Sequence, residues 1–226
     1  MIKFSVILPI YNQESQIEYL FDVYKKQLEE LGETWELLFV VNGSRDRSFD
    51  KAQEVAGQHP NVKIFNLEKG GWGRAVKFGL EQAKGEYLCY TNSARTLPDQ
   101  LILVLKYARA NADVVLKTTR VVRDNWKRKF GSMLYNYENR LLLGTQLWDV
   151  NGTPKVIPSK FMDGLNLKED GDMIDAEIMT KIHRKNIPIV EVLIISNQRI
   201  GGKSTTKLKS AIKMYLGVFR LRRELK

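Results

Sequence analysis

The stretch "WELLFVVNGSRDRSFDKAQEVAGQHPNVKIFNL", residues 35–67, contains a strand, a helix and a second strand in succession. Residues 35–41 and 62–67 are short apolar runs typical of strands, and residues 46–58 have the pattern of a helix. Two strands joined through a helix pair in parallel, because the crossover returns the chain to the same end of the sheet. This segment therefore predicts an α/β fold built on a parallel sheet.

The same alternation extends on both sides of this unit. Further strands are predicted at 4–8, 86–90 and 113–118, and further helices at 14–31, 72–84 and 98–110. The sequence thus predicts a mostly parallel central sheet flanked by helices. Parallel sheets bind ligands beyond the carboxyl ends of their strands. Four loops are expected at that edge: 9–14, 42–46, 69–74 and 90–97.

The second half of the chain is less regular. Helices are predicted at 127–143, 172–186 and about 204–223, with a strand at 188–196. Turn signals in residues 147–157 suggest two short strands joined by a turn. The helix at 127–143 is expected to be amphipathic, with one apolar side formed by Phe130, Met133, Leu134, Tyr137 and Leu141.

The composition is that of an ordinary globular domain. The 226 residues are 43% apolar and 27% charged, and the single cysteine, Cys89, excludes an internal disulfide. Because Cys89 lies in an apolar strand pattern, we expect a buried, inert thiol. We find neither a signal peptide nor a run of about 18 apolar residues, so no membrane crossing is expected in the given sequence.

The net charge of +10 is unevenly distributed. Residues 1–116 carry 14 Lys and Arg against 15 Asp and Glu, a net of −1, whereas residues 117–226 carry 22 against 11, a net of +11. This asymmetry suggests an anionic partner, namely nucleic acid, an anionic membrane surface or a phosphate-bearing substrate; a solvated basic face is the alternative. We do not expect nucleic acid, because no binding module is recognisable and the basic residues do not alternate with aromatic ones.

Polar residues follow the first predicted strand in "LPIYNQE", residues 8–14. Pro9 is expected to end the strand ladder, and Tyr11 offers a flat ring on which a nucleobase can stack. Asn12 and Glu14 offer hydrogen-bonding groups. The alternative role of this loop is to lead the chain into a helix cap.

The next two loops also offer groups that can bind a nucleotide. In "VVNGSRDRS", residues 40–48, Ser44 or Asp46 can cap the following helix, while the Asn42 amide can pair with a base edge. In "KGGWGRA", residues 69–75, backbone amides at a helix start can meet phosphate. The latter is neither a dinucleotide-binding GxGxxG motif nor a P-loop.

The order of these motifs is more specific than any one of them. Together with "AKGEYLCYTNSARTLPDQL" (83–101), it resembles family 2 glycosyltransferases of the GT-A fold. The later blocks, "DVNGTPKVI" (149–157), "GDMIDAEIMTKIHRKNIPIVEV" (171–192) and "NQRIGGKST" (197–205), are most similar to the branch that contains dolichol-phosphate mannose synthase and bacterial polyprenyl-phosphate glycosyltransferases. The resemblance covers roughly residues 3–223.

This resemblance implies an inverting transferase with a UDP- or GDP-sugar donor and a polyprenyl-phosphate or glycan acceptor. Asn42 stands where the family usually has a base-reading aspartate, and Gly71 and Arg74 would lie near the ribose and phosphates. The implied nucleotide-binding residues are Pro9, Tyr11, Asn12, Glu14, Asn42, Ser44, Gly71, Arg74, Asn92, Ser93 and Ala94.

The chain departs from the family at the metal site. Asn92 and Ala94 occupy the positions of the two usual metal-binding aspartates, with Ser93 between them. Mg²⁺ and Mn²⁺ prefer carboxylate oxygens, so no tight metal site is expected, although a weak ion can bind through the donor diphosphate. We hypothesise that basic side chains neutralise the leaving diphosphate instead. The candidates are Arg74, Arg95, Arg199 and Lys203.

Acidic and basic residues late in the chain form the implied acceptor side. Asp172 and Asp175 share a helix face, and a carboxylate there can act as a base for a hydroxyl acceptor, whereas a phosphate acceptor needs none. Helix capping and surface charge are the alternative roles for these acids, and capping of a turn is the alternative role for Asp149. The predicted catalytic residues are Asp175, Glu177, Arg199 and Lys203; those predicted to grip an acceptor phosphate are Arg199, Lys203 and Ser204.

We interpret the chain as one GT-A domain with a nucleotide-sugar half (1–118), an acceptor half (119–203) and a basic C-terminal helix (204–226). The apolar stripe of that helix is either packed in the core or laid on anionic lipid: Leu208, Ala211, Ile212, Tyr215 and Phe219. The expected location is cytoplasmic and peripheral to a membrane; oligomerisation is left open. The alternative function is an inactive GT-A-fold protein that binds nucleotide, glycan or a partner enzyme.

Overall fold

A computed structural model describes residues 1–94, 96–122, 126–195 and 208–225. The strands are β1 (Phe4–Ile10), β2 (Trp35–Asn42), β3 (Val62–Leu67), β4 (Tyr87–Tyr90), β5 (Val115–Val122), β6 (Lys155–Pro158) and β7 (Ile189–Ile195). The helices are α1 (Ile17–Glu30), α2 (Ser48–Ala56), α3 (Trp72–Gln82), α4 (Pro98–Ala110), α5 (Trp126–Leu143), α6 (Ile174–Arg184) and α7 (Leu208–Glu224). Short 3₁₀ turns cover Glu14–Gln16 and Ser159–Phe161.

The strands form one sheet in the order β3-β2-β1-β4-β6-β5-β7. All neighbouring strands run parallel except β6, which is antiparallel to both β4 and β5. This arrangement confirms the predicted α/β class with a mostly parallel sheet. It also brings the carboxyl ends of β1, β2 and β4 to the same edge.

Two apolar clusters cover the faces of the sheet. Alternate residues of β1 enter different clusters, as a strand buried on both faces requires. One cluster joins the sheet to α1, α2 and α4, and the other joins it to α3, α5, α6 and α7. Helix α3 approaches β1 closely at Gly79, where a Cβ atom would lie 2.3 Å from Cγ2 of Ile7.

Two local expectations were wrong. Pro9 does not end a ladder, because β1 continues to Ile10 with Pro9 in register with Val40. The ladder between β1 and β4 ends at Ile7, two residues before Pro9. The missing N–H of Pro9 therefore costs that ladder no hydrogen bond. Residues 147–157, in which two short strands were expected, contribute only the start of β6.

The apolar side predicted for α5 does not face the core, and the stripe predicted for α7 is divided between half-buried and exposed positions where it is described. All five α5 residues named from the pattern are exposed, and the buried residues of α5 include Tyr135, Asn136 and Asn139. On α7, Phe219 is exposed and Val218 is buried. The side chains of the other predicted stripe residues, Leu208, Ala211 and Ile212, lie outside the described residues, whereas Tyr215 is half-buried.

Cys89 is fully buried in β4, as expected, and burial raises the pKa of its thiol. Within the described ranges, no helix combines the length and apolar character needed to cross a bilayer.

Candidate functional site

The loops that follow β1 and β2 are bonded to each other. Asn12, whose φ of 48° lies in the left-handed region that Asn tolerates, donates its backbone N–H to Oγ of Ser44 (3.0 Å). Its side-chain Oδ1 accepts from the N–H of Arg45 (2.8 Å). Glu14 likewise donates its N–H to Asp46 (3.1 Å). The ring of Tyr11 is 39% exposed at the rim of these paired loops, so it is free to stack.

Asn42 ties together the ends of β1 and β2 and the start of α3. Its buried amide Nδ2 donates to the carbonyl of Ile10 (2.8 Å), and its Oδ1 accepts from the N–H of Gly71 (3.1 Å). The amide predicted to read a base therefore already has backbone partners. Its assignment to a nucleotide stays a prediction.

The glycine-rich start of α3 is closed by the segment that precedes α6. The N–H groups of Gly73 and Arg74 donate to the carbonyls of Gly171 (3.1 Å) and Asp170 (3.0 Å). Gly71 has φ +149°, and a Cβ there would lie 2.4 Å from the Asp170 carbonyl, so only glycine fits. These bonds use the backbone amides that the sequence suggested for phosphate.

Arg74 also has a protein partner. Its Nη2 lies 2.6 Å from Oδ2 of Asp170, and Lys77 Nζ lies 2.6 Å from Oδ1 of the same carboxylate. The Lys77 ammonium and the Arg74 guanidinium lower the pKa of Asp170. A diphosphate would have to compete with this carboxylate for Arg74.

The triplet after β4 does not fit the donor set of a Mg²⁺ or Mn²⁺ site. Oδ1 of Asn92 accepts from the N–H of Ala94 (3.1 Å), and the buried Ser93 donates its hydroxyl to Oε1 of Gln13 (3.1 Å). Ala94 is buried and carries no side-chain oxygen. Across the described part of the chain, no three His, Cys, Asp or Glu residues are grouped to hold a metal. Arg95 lies outside that part.

A buried carboxylate, Asp175, lies at the same edge of the sheet. Oδ2 accepts from Nε1 of Trp72 (2.9 Å), and Oδ1 accepts from the hydroxyl of Tyr90 (2.9 Å) and from Nζ of Lys155. Lys155 opens β6 in register with Tyr90, the last residue of β4. Burial raises the pKa of Tyr90 and lowers that of Lys155, so the ammonium depends on Asp175 for its charge.

Two more ion pairs lie close to the Asp175–Lys155 pair. Arg120 grips the buried Asp149 through Nε (2.6 Å) and Nη2 (2.8 Å). Lys117, in register with Lys155, pairs with Glu191 at 2.7 Å, and burial lowers the pKa of Lys117 to about 8. No sequence motif indicated Lys117, Arg120, Lys155 or Glu191, although a charged residue within an apolar strand pattern is a signal of a buried ion pair.

Glu177 is not part of this cluster, and its predicted catalytic role stays a prediction. Its buried carboxylate accepts from the N–H groups of Lys168 (2.9 Å) and Glu169 (2.8 Å) and pairs with Lys181. It therefore anchors the segment before α6. Asp172 lies nearer the surface, where partial loss of hydration and the Asp175 charge raise its pKa.

The structure brings together the predicted residues that follow β1, β2 and β4, and it places Asp175 beside them. The remaining predicted site residues lie outside the described residues, so their positions are untested: Arg199, Lys203 and Ser204.

Comparison with known proteins identifies the family. The sequence profile described as Glycosyl transferase family 2 matches residues 5–164. The chain is 25% identical over 220 residues to the uncharacterized glycosyltransferase YkcC of Bacillus subtilis (strain 168), covering 94% of this chain and 66% of that protein. It is 27% identical over 228 residues to dolichol-phosphate mannosyltransferase of Pyrococcus furiosus, covering 97% of this chain and 63% of that protein.

A relative that matches over a shorter segment and a solved structure are also glycosyltransferases. Undecaprenyl-phosphate 4-deoxy-4-formamido-L-arabinose transferase of Proteus mirabilis is 28% identical over 137 residues, 59% of this chain and 42% of that protein. The chain thus spans between 42% and 66% of the length of these curated relatives. The crystal structure of Mycobacterium tuberculosis glucosyl-3-phosphoglycerate synthase in complex with Mn²⁺, uridine diphosphate and glucosyl-3-phosphoglycerate has a TM-score of 0.73 at 14% identity, covering 97% of this chain and 78% of that one. The chain therefore belongs to glycosyltransferase family 2 and has the GT-A fold.

Proposed function

We propose that this chain transfers a sugar from a nucleotide-sugar donor to a polyprenyl-phosphate or glycan acceptor, with inversion at the anomeric carbon. The observation that carries the proposal is the convergence, at one sheet edge, of the loops after β1, β2 and β4 with the buried Asp175. The named relatives that act on dolichol and undecaprenyl phosphates favour a lipid-phosphate acceptor. On this proposal the protein works at the cytoplasmic surface of a membrane.

The donor would lie across the paired loops, with its base on the exposed ring of Tyr11. As its bond to the anomeric carbon breaks, negative charge develops on the leaving diphosphate and must be stabilised. The side chains at 92–94 do not fit a metal ion, so we assign this role to the cations Arg74, Arg95, Arg199 and Lys203. A divalent ion held by the diphosphate itself is compatible with this arrangement.

The acceptor oxygen would attack the anomeric carbon from the face opposite the diphosphate. The Asp175 carboxylate already accepts from Trp72, Tyr90 and Lys155, which leaves it little capacity to take a proton. A phosphate acceptor is ionised and needs no base, so a positioning role for Asp175 agrees with a lipid-phosphate acceptor. A hydroxyl acceptor would need Asp175 to act as the base.

A thermal-shift screen with UDP, GDP and their sugars, each in EDTA or in Mn²⁺, tests the donor site. We expect one nucleoside diphosphate to raise the melting temperature in EDTA as well as in Mn²⁺. Tyr11→Ala should reduce that shift, whereas Tyr107→Ala, a tyrosine exposed on α4, should leave it unchanged. The absence of a shift with every nucleotide would contradict the donor site, and a shift only in Mn²⁺ would contradict side-chain neutralisation.

The inactive GT-A-fold protein remains the second candidate, because Asn92 and Ala94 replace carboxylates and the α3 amides are bonded internally. Sugar transfer to a short polyprenyl phosphate in EDTA separates the two candidates. Product formation supports the transferase. Nucleotide binding without transfer or donor hydrolysis, in EDTA and in Mn²⁺, supports the inactive protein.

A further inference from the structure

Helix α5 is apolar on its exposed side, while its buried side mixes apolar residues such as Tyr135 and Leu143 with two asparagines. Asn136 and Asn139 are buried, and Asn136 accepts the N–H of Val150 through Oδ1 (3.0 Å). The opposite side of the helix is between 43% and 69% exposed and apolar, and it consists of Phe130, Met133, Leu134, Tyr137 and Leu141. The exposed side of a surface helix is normally polar, so this exposed apolar side is built to meet something other than water.

Helix α7 extends the same surface. It packs on α5 through Tyr215, whose hydroxyl donates to the carbonyl of Gly131 (2.6 Å). Leu216 and Phe219 are exposed on α7. We call the five α5 residues together with Leu216 and Phe219 the α5–α7 surface.

The net charge of these two helices favours an anionic partner. Helix α5 carries four Lys or Arg residues and one Glu, a net of +3, and α7 carries five and one, a net of +4. Among them, Arg220 pairs with Glu169 and Arg140 donates to the carbonyl of Leu147, so these two are only partly available to a partner. A second copy of the chain would bring another +7 to the interface and be repelled. An anionic bilayer complements both properties, since apolar and aromatic side chains enter the headgroup region while basic ones contact lipid phosphates.

We propose that the α5–α7 surface docks on the interface of a bilayer rich in anionic phospholipid. The buried side of α5 contacts the segment that leads to Asp175, because the hydroxyl of Tyr135 donates to Sδ of Met173 (3.5 Å), two residues before Asp175. A docked membrane therefore lies against the helix that covers the acceptor side. If the proposed function holds, a lipid-borne phosphate is delivered to Asp175 from this direction.

Vesicle flotation tests the surface without donor or acceptor, so its result is independent of transferase activity. We expect wild-type protein to float with phosphatidylcholine–phosphatidylglycerol vesicles, to float weakly with phosphatidylcholine alone, and to be released by salt. The double variant Leu134→Glu, Tyr137→Glu should bind the anionic vesicles at least about tenfold more weakly than wild type.

The matched control uses α4, on the other side of the sheet. Leu103 is 43% exposed, as is Leu134, and Tyr107 is 49% exposed against 64% for Tyr137. The double variant Leu103→Glu, Tyr107→Glu should float like wild type. Circular dichroism and thermal unfolding establish that both variants are folded, and Lys213→Glu supplies a second, purely electrostatic reduction in binding.

Three results would overturn the proposal. The first is a wild-type protein that does not float with anionic vesicles. The second is an equal loss of binding in the α4 and α5 variants. The third is an α5 variant that dissociates a dimer in light scattering while vesicle binding is unchanged, because a second copy would then cover the surface.

Discussion

The local sequence around Lys117 and Lys155 indicates that each lysine needs a buried partner, but it does not indicate which residue that partner is. Both lie in apolar strand patterns and both are fully buried, so each requires a carboxylate partner. Those partners are Glu191 and Asp175, which lie 74 and 20 residues further along the chain. Asp175 was predicted as a site residue from the family resemblance. Its pairing with Lys155 depends on the reversed direction of β6, which no local pattern indicated.

Removing the Lys155 ammonium should strongly destabilise the protein. Lys155→Met leaves Asp175 buried with only neutral donors, and we expect the free energy of unfolding to fall by about 3–5 kcal/mol. Replacing both charges, Lys155→Met with Asp175→Leu, should recover part of that loss, because no buried charge is left unpaired, although the Tyr90 hydroxyl and Trp72 Nε1 lose their acceptor. Urea denaturation measures both. A double variant as unstable as the single one would show that packing, not charge, dominates here.

Glu36 should make stability depend on acid pH. Burial opposes ionisation, but contacts from Lys63 (2.5 Å), Ser5 (2.6 Å) and the Lys84 N–H (2.6 Å) outweigh it and lower the pKa of Glu36. The unfolded chain then binds more protons in acid, so this stabilisation is present above about pH 4.5 and lost as pH falls through the lowered pKa.

The measurement is the free energy of unfolding from about pH 5 to about pH 3 in wild type and Glu36→Gln. The variant should be less stable at neutral pH and should lose less stability across that range. Parallel curves would show that Glu36 contributes nothing to acid sensitivity.

At the scale of elements, periodicity located helices and strands well but did not determine which side is buried. The strand at 62–67 and the helix at 98–110 were predicted with the observed bounds. The helix predicted from the pattern of α5 is also present, but the apolar side that the pattern defines faces outward. A helical period shows that two sides differ; which one packs inward depends on the neighbours, here Tyr215 and the segment at Val150.

Two glycines in helices should respond in opposite directions to alanine. At Gly79 a Cβ would lie 2.3 Å from Ile7, so Gly79→Ala should push α3 from β1 and cost about 1–3 kcal/mol of unfolding free energy. At Gly131 a Cβ would meet nothing within 4 Å, so Gly131→Ala should stabilise α5 by about 0.5–1 kcal/mol. Thermal denaturation compares them. A stabilised Gly79→Ala protein would contradict the close helix–strand contact.

For the whole molecule, the strand–helix alternation was sufficient to predict the class of fold and the sheet edge at which the candidate site residues after β1, β2 and β4 lie. It was not sufficient to predict the order of the second half, because β6 is only four residues long and pairs through contacts distant in sequence. The charge imbalance between the halves pointed to an anionic partner. Many of the basic residues of the second half lie on α5 and α7. Only the structure shows that these two helices pack together and form one surface.

Stability should also differ across the sheet. All seven residues of β1 are buried, and the strand is paired with β2 on one side and β4 on the other. Strand β7 ends the sheet order, paired with β5, and exposes Val190, Leu193 and Ile195. Local opening of β7 therefore breaks one ladder and the Lys117–Glu191 ion pair. It still exposes less apolar surface than freeing β1, which breaks two ladders and opens both clusters. In native-state hydrogen exchange with increasing denaturant, β1 peptides should exchange only with global unfolding and β7 peptides earlier, with little dependence on denaturant. Equal protection of the two strands would show that the sheet opens as one unit.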